Sequence, residues 1–245
     1  MSMVLRDDAD GVATLTLNRP EKLNAVHMGV FAELRAHLAA IADDESIGCV
    51  ILTGAGRAFC AGHDLDAIAA AQGTVIDNPF FPSETVDAIE SLPQPTIAKV
   101  KGHCLTGGLE IALACDFIIA GESAQFADTH GQWGLSPIWG MSVRLPERIG
   151  RARAKEMGYT SRRVSGAEAE AIALANHCYP DDLLDAEVAA LAARIVANSA
   201  SGNRLAKRLF ANAASTPRDA ALLVERSRVL GVPSDTAERM TRPRK

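Results

Sequence analysis

The chain has 245 residues, enough to bury one sizeable core, and 48% apolar and 22% charged residues are typical of a folded globular protein rather than a disordered one. Its formal net charge of -5, without an extended basic face or interleaved aromatic residues, argues against nucleic acid as a partner. No apolar run approaches a membrane span, and the acidic first twenty residues are not typical of a secretory signal.

The cysteines predict a reducing environment. Their number is odd and none has Cys-x-x-Cys spacing, a pattern that favours free thiols, a cytoplasmic location and no structural metal site. They are Cys49, Cys60, Cys104, Cys115 and Cys178.

The first sixty residues predict a β-α-β beginning. Residues 12–17 alternate apolar and hydroxyl side chains, as a half-buried strand does, and Asn18-Arg19-Pro20 ends that strand. Apolar residues recur every three or four positions over 28–42, which predicts an amphipathic helix. The apolar run 49–53 predicts a buried strand that enters a glycine turn.

The middle of the chain alternates short apolar runs with turns. Four prolines between residues 73 and 95 predict a mobile loop with one short helix near 86–90. A strand is expected over 96–100, a helix over 109–115 and another buried strand over 117–120.

The chain is predicted to be mainly helical beyond Pro146. Asp181-Asp182 is expected to cap a helix over 183–197, and a second helix is expected over 203–214. The basic ending at residues 242–245 is expected to be a solvated tail.

Two stretches place glycine where a backbone N–H can face a ligand without an intervening side chain: residues 59–65, Phe-Cys-Ala-Gly-His-Asp-Leu, and residues 107–110, Gly-Gly-Leu-Glu. In the second stretch the glycines begin a predicted helix, and Glu110 follows one turn later. A carboxylate and an oxyanion donor can therefore face the same small volume, as proton transfer beside a carbonyl requires. Either stretch alone would indicate only a tight turn.

Together and in order, these stretches resemble the enoyl-CoA hydratase/isomerase (crotonase) superfamily. The resemblance covers most of the chain and also includes Asn18-Arg19-Pro20 with Asn24-Ala25, Leu52-Thr53-Gly54, residues 95–102 and Ala124-Gln125-Phe126. It implies an α/β fold, a crotonase-like spiral of β-β-α turns. It also implies an acyl-CoA-binding core over residues 1–190, and a shortened C-terminal helical region over 191–245 that builds homotrimers or hexamers.

The resemblance implies a role for each matched position. The backbone N–H groups of His63 and Gly107 correspond to the two donors that polarise the thioester carbonyl. Coenzyme A, as part of the substrate, is the only cofactor implied. The segments that match its binding site contain Lys22, Leu23, Ala25, Ala61, Asp64 and Leu65.

Glu110 corresponds to the first of the two glutamates that hydratases use to hold and activate water, so its implied role is general base or acid. The second glutamate is replaced by His130. A histidine can still relay a proton, although a purely structural histidine is an equally good interpretation. Asp128, two positions earlier, points elsewhere if this segment is extended.

The leading hypothesis is hydration of a trans-2-enoyl-CoA to the 3-hydroxyacyl-CoA. A double-bond isomerase needs only Glu110, and an acyl-CoA hydrolase would use the same oxyanion hole with His130 as base. From a different class of protein, a non-catalytic acyl-CoA-binding subunit is also considered. The sequence has neither a strand-GxGxxG-helix unit followed by an acidic residue nor a GxSxG elbow, which excludes a Rossmann dehydrogenase and a serine hydrolase.

Overall fold

The computed structural model describes residues 2–71 and 77–241. These residues contain ten strands: β1 (Val4–Ala9), β2 (Val12–Leu17), β3 (Cys49–Gly54), β4 (Ala58–Cys60), β5 (Thr96–Val100), β6 (His103–Leu105), β7 (Phe117–Gly121), β8 (Gln125–Ala127), β9 (Val164–Ser165) and β10 (His177–Tyr179). They also contain twelve α-helices: α1 (Met28–Ala42), α2 (Leu65–Ala71), α3 (Phe81–Glu90), α4 (Gly107–Leu113), α5 (His130–Trp133), α6 (Met141–Ile149), α7 (Arg151–Thr160), α8 (Gly166–Ala171), α9 (Leu184–Ala197), α10 (Ala200–Ser215), α11 (Arg218–Ser227) and α12 (Thr236–Thr241).

The strands form two sheets. The larger sheet has the order β1-β2-β3-β5-β7-β10, and the smaller has the order β4-β6-β8-β9. Only the β1–β2 and β8–β9 pairs are antiparallel. Each of the strand pairs β3–β4, β5–β6 and β7–β8 gives its first strand to the larger sheet and its second to the smaller, and a helix follows. This confirms the predicted spiral of β-β-α turns.

The central strands of the larger sheet, β3, β5 and β7, are buried on both faces, which explains why they are continuous apolar runs, whereas β2 alternates and β1 is polar. Alternate residues of β3, such as Val50 and Leu52, face the main core. The intervening residues of the central strands face a second cluster closed by α9. This second cluster comprises Cys49, Ile51, Ile97, Ile119, Leu184, Val188 and Ala192.

Some predicted helices and strands have the bounds that the sequence predicts, and others begin at different residues. β2, α1 and β5 have the predicted bounds, whereas α3 begins five residues before the predicted 86–90 segment and α4 begins at the glycine pair rather than at Leu109. The predicted Asp181-Asp182 cap is wrong, because Oδ1 of Asp181 accepts a hydrogen bond from the Ser123 N–H and the α9 N-cap, Leu183, makes no side-chain cap. The predicted mobile loop includes residues 72–76, which lie outside the described residues.

The last three helices, α10 to α12, carry no buried residue in the described chain. Large apolar side chains are instead exposed on these helices and the segments between them: Phe210, Leu223, Val229, Val232 and Met240. The expected division after residue 190 falls inside α9 and stays a prediction, as does the solvated tail, whose residues lie outside the described ones. No described helix is both long and apolar enough to cross a membrane.

Candidate active site

The two glycine stretches predicted to cooperate lie against each other. Gly62, between β4 and α2, has φ +103°, and a Cβ built on it would lie 3.3 Å from the Gly107 nitrogen and 3.0 Å from the Leu105 carbonyl oxygen. A side chain at position 62 would therefore combine an unfavourable backbone angle with a close contact. Glycine at this position lets the β4 loop approach the start of α4.

The backbone N–H groups of His63 and Gly107 are available at this junction. His63 forms a parallel bridge with Val26, in which Gly62 accepts from the Val26 N–H and the Asp64 N–H donates to Val26. The His63 N–H takes no part in that bridge. Gly107 is the first residue of α4, where a helix leaves its N–H unpaired. Within the described residues, neither N–H donates a hydrogen bond to a protein acceptor.

The start of α4 is packed too tightly for any side chain at position 107. A Cβ there would lie 2.2 Å from Cζ3 of Trp139, a residue that is 3% exposed. The preceding residue, Thr106, has φ +52°, an unusual backbone angle for a residue with a branched side chain. Its hydroxyl forms a short hydrogen bond with that of Thr129 and accepts from the Thr129 N–H at 3.2 Å. These bonds tie the β8–α5 turn to the start of α4.

Glu110 is a buried carboxylate held by backbone donors. It is 1% exposed, and its Oε1 accepts from the N–H groups of Trp139 at 2.9 Å and Met141 at 3.0 Å. Burial raises the pKa of Glu110 because it penalises the ionised form, and these two N–H groups and His130 offset only part of that effect. Oε1 is therefore anchored, and the group is biased towards carrying a proton.

His130 faces the other oxygen of Glu110. Its Nε2 lies 3.7 Å from Oε2 of Glu110, and its Nδ1 lies 2.7 Å from Oδ1 of Asp128. Asp128 was expected to point elsewhere if its segment were extended, but the segment is a turn, and its carboxylate contacts the His130 ring. The chain turns at the end of β8, so that Oδ1 of Asp128 also accepts the His130 N–H at 3.1 Å. The spacing Asp-x-His, typical of an aspartate turn, is the sequence signal for this contact.

These groups open into a cavity of about 620 Å³, within the size range of small-molecule sites. All the predicted site residues except Leu23 line it: Lys22, Ala25, Ala61, His63, Asp64, Leu65, Gly107, Glu110 and His130. Trp133, Ile138 and Trp139 also line it. Arg163, which the sequence interpretation missed, lies at the same cavity and donates to Gln125 at 3.0 Å.

The charged side chains at the predicted coenzyme A segments are already paired. Lys22 Nζ lies 2.9 Å from Asp66, with both side chains exposed, and Asp64 lies 3.0 Å from Arg19. Burial opposes ionisation of Asp64, but Arg19 and neighbouring N–H groups outweigh it and lower its pKa. Asp64 therefore fixes the loop, and Lys22 would have to leave Asp66 to meet a phosphate.

Asn24 holds the loop that leads to the predicted coenzyme A segments. It is 1% exposed, accepts from the Arg19 N–H, and donates to the carbonyls of Ala55 and Ala58 at 2.9 and 2.7 Å. The Asn18-Arg19-Pro20 and Asn24-Ala25 pieces of the motif are thus explained by loop structure.

The cysteines are unpaired in the structure. Burial raises the pKa of the Cys60 thiol, next to the site, to about 12, so this thiol stays protonated at neutral pH. No group of three or more potential metal ligands comes together in the described part of the chain.

Comparisons with known proteins all point to one family. The sequence matches the enoyl-CoA hydratase/isomerase family over residues 7–242. A probable enoyl-CoA hydratase of Mycobacterium bovis is 36% identical over 230 residues, 91% of this chain and 86% of that protein. A 1,2-epoxyphenylacetyl-CoA isomerase of Escherichia coli is 33% identical over 97% of this chain and 94% of that enzyme. The crystal structure of an enoyl-CoA hydratase from Bacillus anthracis superposes with a TM-score of 0.90 at 35% identity, covering 97% of this chain and 94% of the other.

Proposed function

The chain belongs to the enoyl-CoA hydratase/isomerase family, and we propose that it adds water across the double bond of a trans-2-enoyl-CoA to give the 3-hydroxyacyl-CoA. One observation carries the proposal: the buried Glu110 carboxylate and the unpaired N–H groups of His63 and Gly107 line one cavity. The proposal includes no cofactor beyond the coenzyme A of the substrate.

In the proposed reaction the two N–H groups bind the thioester oxygen. Negative charge gathers on that oxygen as C3 is attacked, so donors fixed in advance stabilise the transition state more than the substrate, by about 3–4 kcal/mol each. A water between His130 and Glu110 loses one proton to the pair, and its oxygen bonds to C3. The pair delivers one proton to C2. Coenzyme A is expected along the segments that contain Lys22, Leu23, Ala25, Ala61, Asp64 and Leu65.

The test is loss of the conjugated enoyl-thioester absorbance with crotonyl-CoA and longer enoyl-CoAs. We expect Glu110→Gln and His130→Gln each to lower kcat by about 10²–10⁴-fold, the range for loss of a general acid or base. The matched controls, Glu122→Gln and His177→Gln, change exposed side chains remote from the cavity and should keep wild-type rates. Absence of wild-type turnover with every enoyl-CoA would contradict the proposal.

A double-bond isomerase is the second candidate. Glu110 is the one cavity carboxylate in the described residues without a cationic Lys or Arg partner, since Asp64 and Asp66 pair with Arg19 and Lys22. Isomerisation needs only one carboxylate to move the proton. If the protein is an isomerase, His130→Gln should therefore stay active on a 3-enoyl-CoA while Glu110→Gln should not. Release of free thiol from saturated acyl-CoAs would instead indicate a hydrolase.

We further propose that the protein assembles into homotrimers or hexamers in the cytoplasm. The exposed apolar side chains of α10 to α12 support assembly, and the five free thiols support a reducing compartment. Light scattering coupled to gel filtration measures the assembly directly.

A further inference from the structure

Asp128 holds the His130 ring from the side opposite the reaction cavity. Its Oδ1 accepts both the His130 backbone N–H, at 3.1 Å, and a hydrogen bond at Nδ1, at 2.7 Å. Both side chains are about nine-tenths buried. Two bonds from one oxygen, to the backbone and to the ring of the same residue, leave the imidazole little freedom to turn.

The partner of Nδ1 decides where the ring hydrogen lies. An ionised carboxylate only accepts hydrogen bonds, so a neutral His130 carries its hydrogen on Nδ1 and presents a lone pair at Nε2. Nε2, which carries that lone pair, lies 3.7 Å from Oε2 of Glu110. The separation is too long for a direct hydrogen bond but allows both atoms to contact one water molecule on the cavity side.

Asp128 is outside the reaction cavity. It lines a second cavity, of about 990 Å³, between the β8–α5 turn and helices α6 and α7, and His130 lines both cavities. A Cβ built on Gly158 of α7 would lie 3.3 Å from Oδ2 of Asp128, so this oxygen faces α7 rather than the substrate. The hydrogen bonds of Asp128 therefore reach the reaction cavity through His130, and its charge also helps to raise the pKa of Glu110.

We propose that Asp128 is a positioning residue that fixes His130 in the Nδ1-protonated form, so that Nε2 accepts the proton of the attacking water. The inference rests on the hydratase function proposed above. The water O–H bond breaks as its proton moves to Nε2, the oxygen bonds to C3, and the Glu110 proton forms the new bond at C2. Transfer of the proton from Nε2 to Glu110 then restores the starting state. Asp128 stabilises the intervening imidazolium, and the step starts from the protonated form of Glu110, which is the form that burial favours.

The kinetic test compares Asp128→Ala in two backgrounds. In the wild type it should lower kcat by about 10–100-fold with little change in KM, the size of effect seen when an orienting partner is removed. In the His130→Gln background it should cause no further loss. Asp181→Ala is the matched control, because Asp181 also accepts a backbone N–H but lies away from the cavity. Equal losses in both backgrounds, or an effect on KM alone, would overturn the proposal.

A second measurement does not depend on turnover. Nitrogen-15 imidazole spectra of the resting enzyme, with His130 assigned by comparison with His130→Gln, should show Nδ1 protonated and Nε2 bare, and Asp128→Ala should shift the ring towards a mixture of forms. A hydrogen on Nε2 of the neutral His130 ring in the wild type, or an unchanged His130 spectrum in Asp128→Ala, would refute the positioning role. If no enoyl-CoA is turned over, the hydratase proposal fails while the spectra still decide the role of Asp128.

Discussion

At the scale of single residues, Glu110 is expected to lower the free energy of unfolding near neutral pH, although the proposed reaction needs it. Its pKa is raised in the folded state, so the folded protein loses stability as pH rises from the ordinary glutamate value, about 4.3, through the raised value. Glu110→Gln removes that titration, and its amide oxygen can still accept from the N–H groups of Trp139 and Met141. We therefore expect this inactive variant to unfold at a higher temperature than the wild type near pH 8.

The sign of the effect is checked by its pH dependence. The stability advantage of Glu110→Gln should shrink as pH falls towards about 5, and each kcal/mol corresponds to about 2–4 °C in Tm for a chain of this size. Glu122→Gln, at an exposed position, should show no such trend in calorimetry. A Glu110→Gln variant less stable than the wild type at every pH would show that the carboxylate is favourable when ionised.

Asn24 is the residue whose loss should most damage the N-terminal loop. Its buried amide makes three hydrogen bonds to backbone groups, so Asn24→Ala leaves two carbonyls and one N–H without their partner. We expect a loss of about 2–4 kcal/mol in the free energy of unfolding, measured by urea denaturation. Asn18→Ala, which removes one exposed bond to Ser2, should cost less than about 1 kcal/mol. Similar losses for both variants would contradict this account of the loop.

At the scale of elements, the start of α4 depends on the loop that precedes α6. Gly107→Ala places a methyl group against the Trp139 ring, so the helix start or the ring must move. We expect activity to fall at least 10-fold, since displacement of one oxyanion donor alone costs about 10²–10³ in kcat. Trp139→Leu in the same chain should recover part of the loss by making space.

The control for Gly107→Ala is Gly131→Ala in α5, where a Cβ would meet only the Gly158 carbonyl at an ordinary 3.7 Å. This variant should keep nearly full activity. Wild-type activity in Gly107→Ala, measured with the same enoyl-CoA, would mean that the N–H of residue 107 is not an oxyanion donor.

The elements that were predictable are those whose burial gives a periodic signal. α1 buries one stripe and β5 is buried almost throughout, so their bounds could be read from side chains alone. β1 was missed because it is a polar edge strand, held by pairing with β2 and by Glu33, which accepts the N–H groups of Met3 and Val4. The strands of the smaller sheet, two or three residues long, are too short to show any period.

The site was predictable in its backbone parts and less so in its side chains. Gly62 and Gly107 could be predicted from the sequence because a side chain at either position would meet neighbouring atoms too closely. The Asp-x-His spacing indicates an aspartate turn at Asp128, but the turn is held by the bond between Thr106 and Thr129, 23 residues apart, and no local pattern indicates that bond. Likewise, no sequence feature indicates that Lys22 is held by Asp66.

At the scale of the whole molecule, the distribution of exposed apolar residues is uneven. The spiral of two sheets buries its apolar strands on both faces, and α9 closes the outer face. The three helices that follow keep no side chain buried in the described chain and expose Phe210 at 77% and Leu223 at 66%. Arg204 and Lys207 hold α10 to the core through polar contacts, but the apolar side chains of these helices stay exposed, so contact with other copies is the expected source of their burial.

Phe210→Asp tests that expectation. A charge in an apolar contact between subunits is costly, so the variant should elute as a smaller species than the wild type in gel filtration with light scattering. Phe80→Asp, at an equally aromatic and 68% exposed position outside the C-terminal helices, should leave the assembly unchanged. Because the Glu110 site is formed within one chain, a dissociated Phe210→Asp should keep measurable kcat, and its KM reports whether a neighbouring subunit helps to bind coenzyme A. A wild type that is monomeric at all concentrations would contradict the assembly proposal and leave the catalytic one standing.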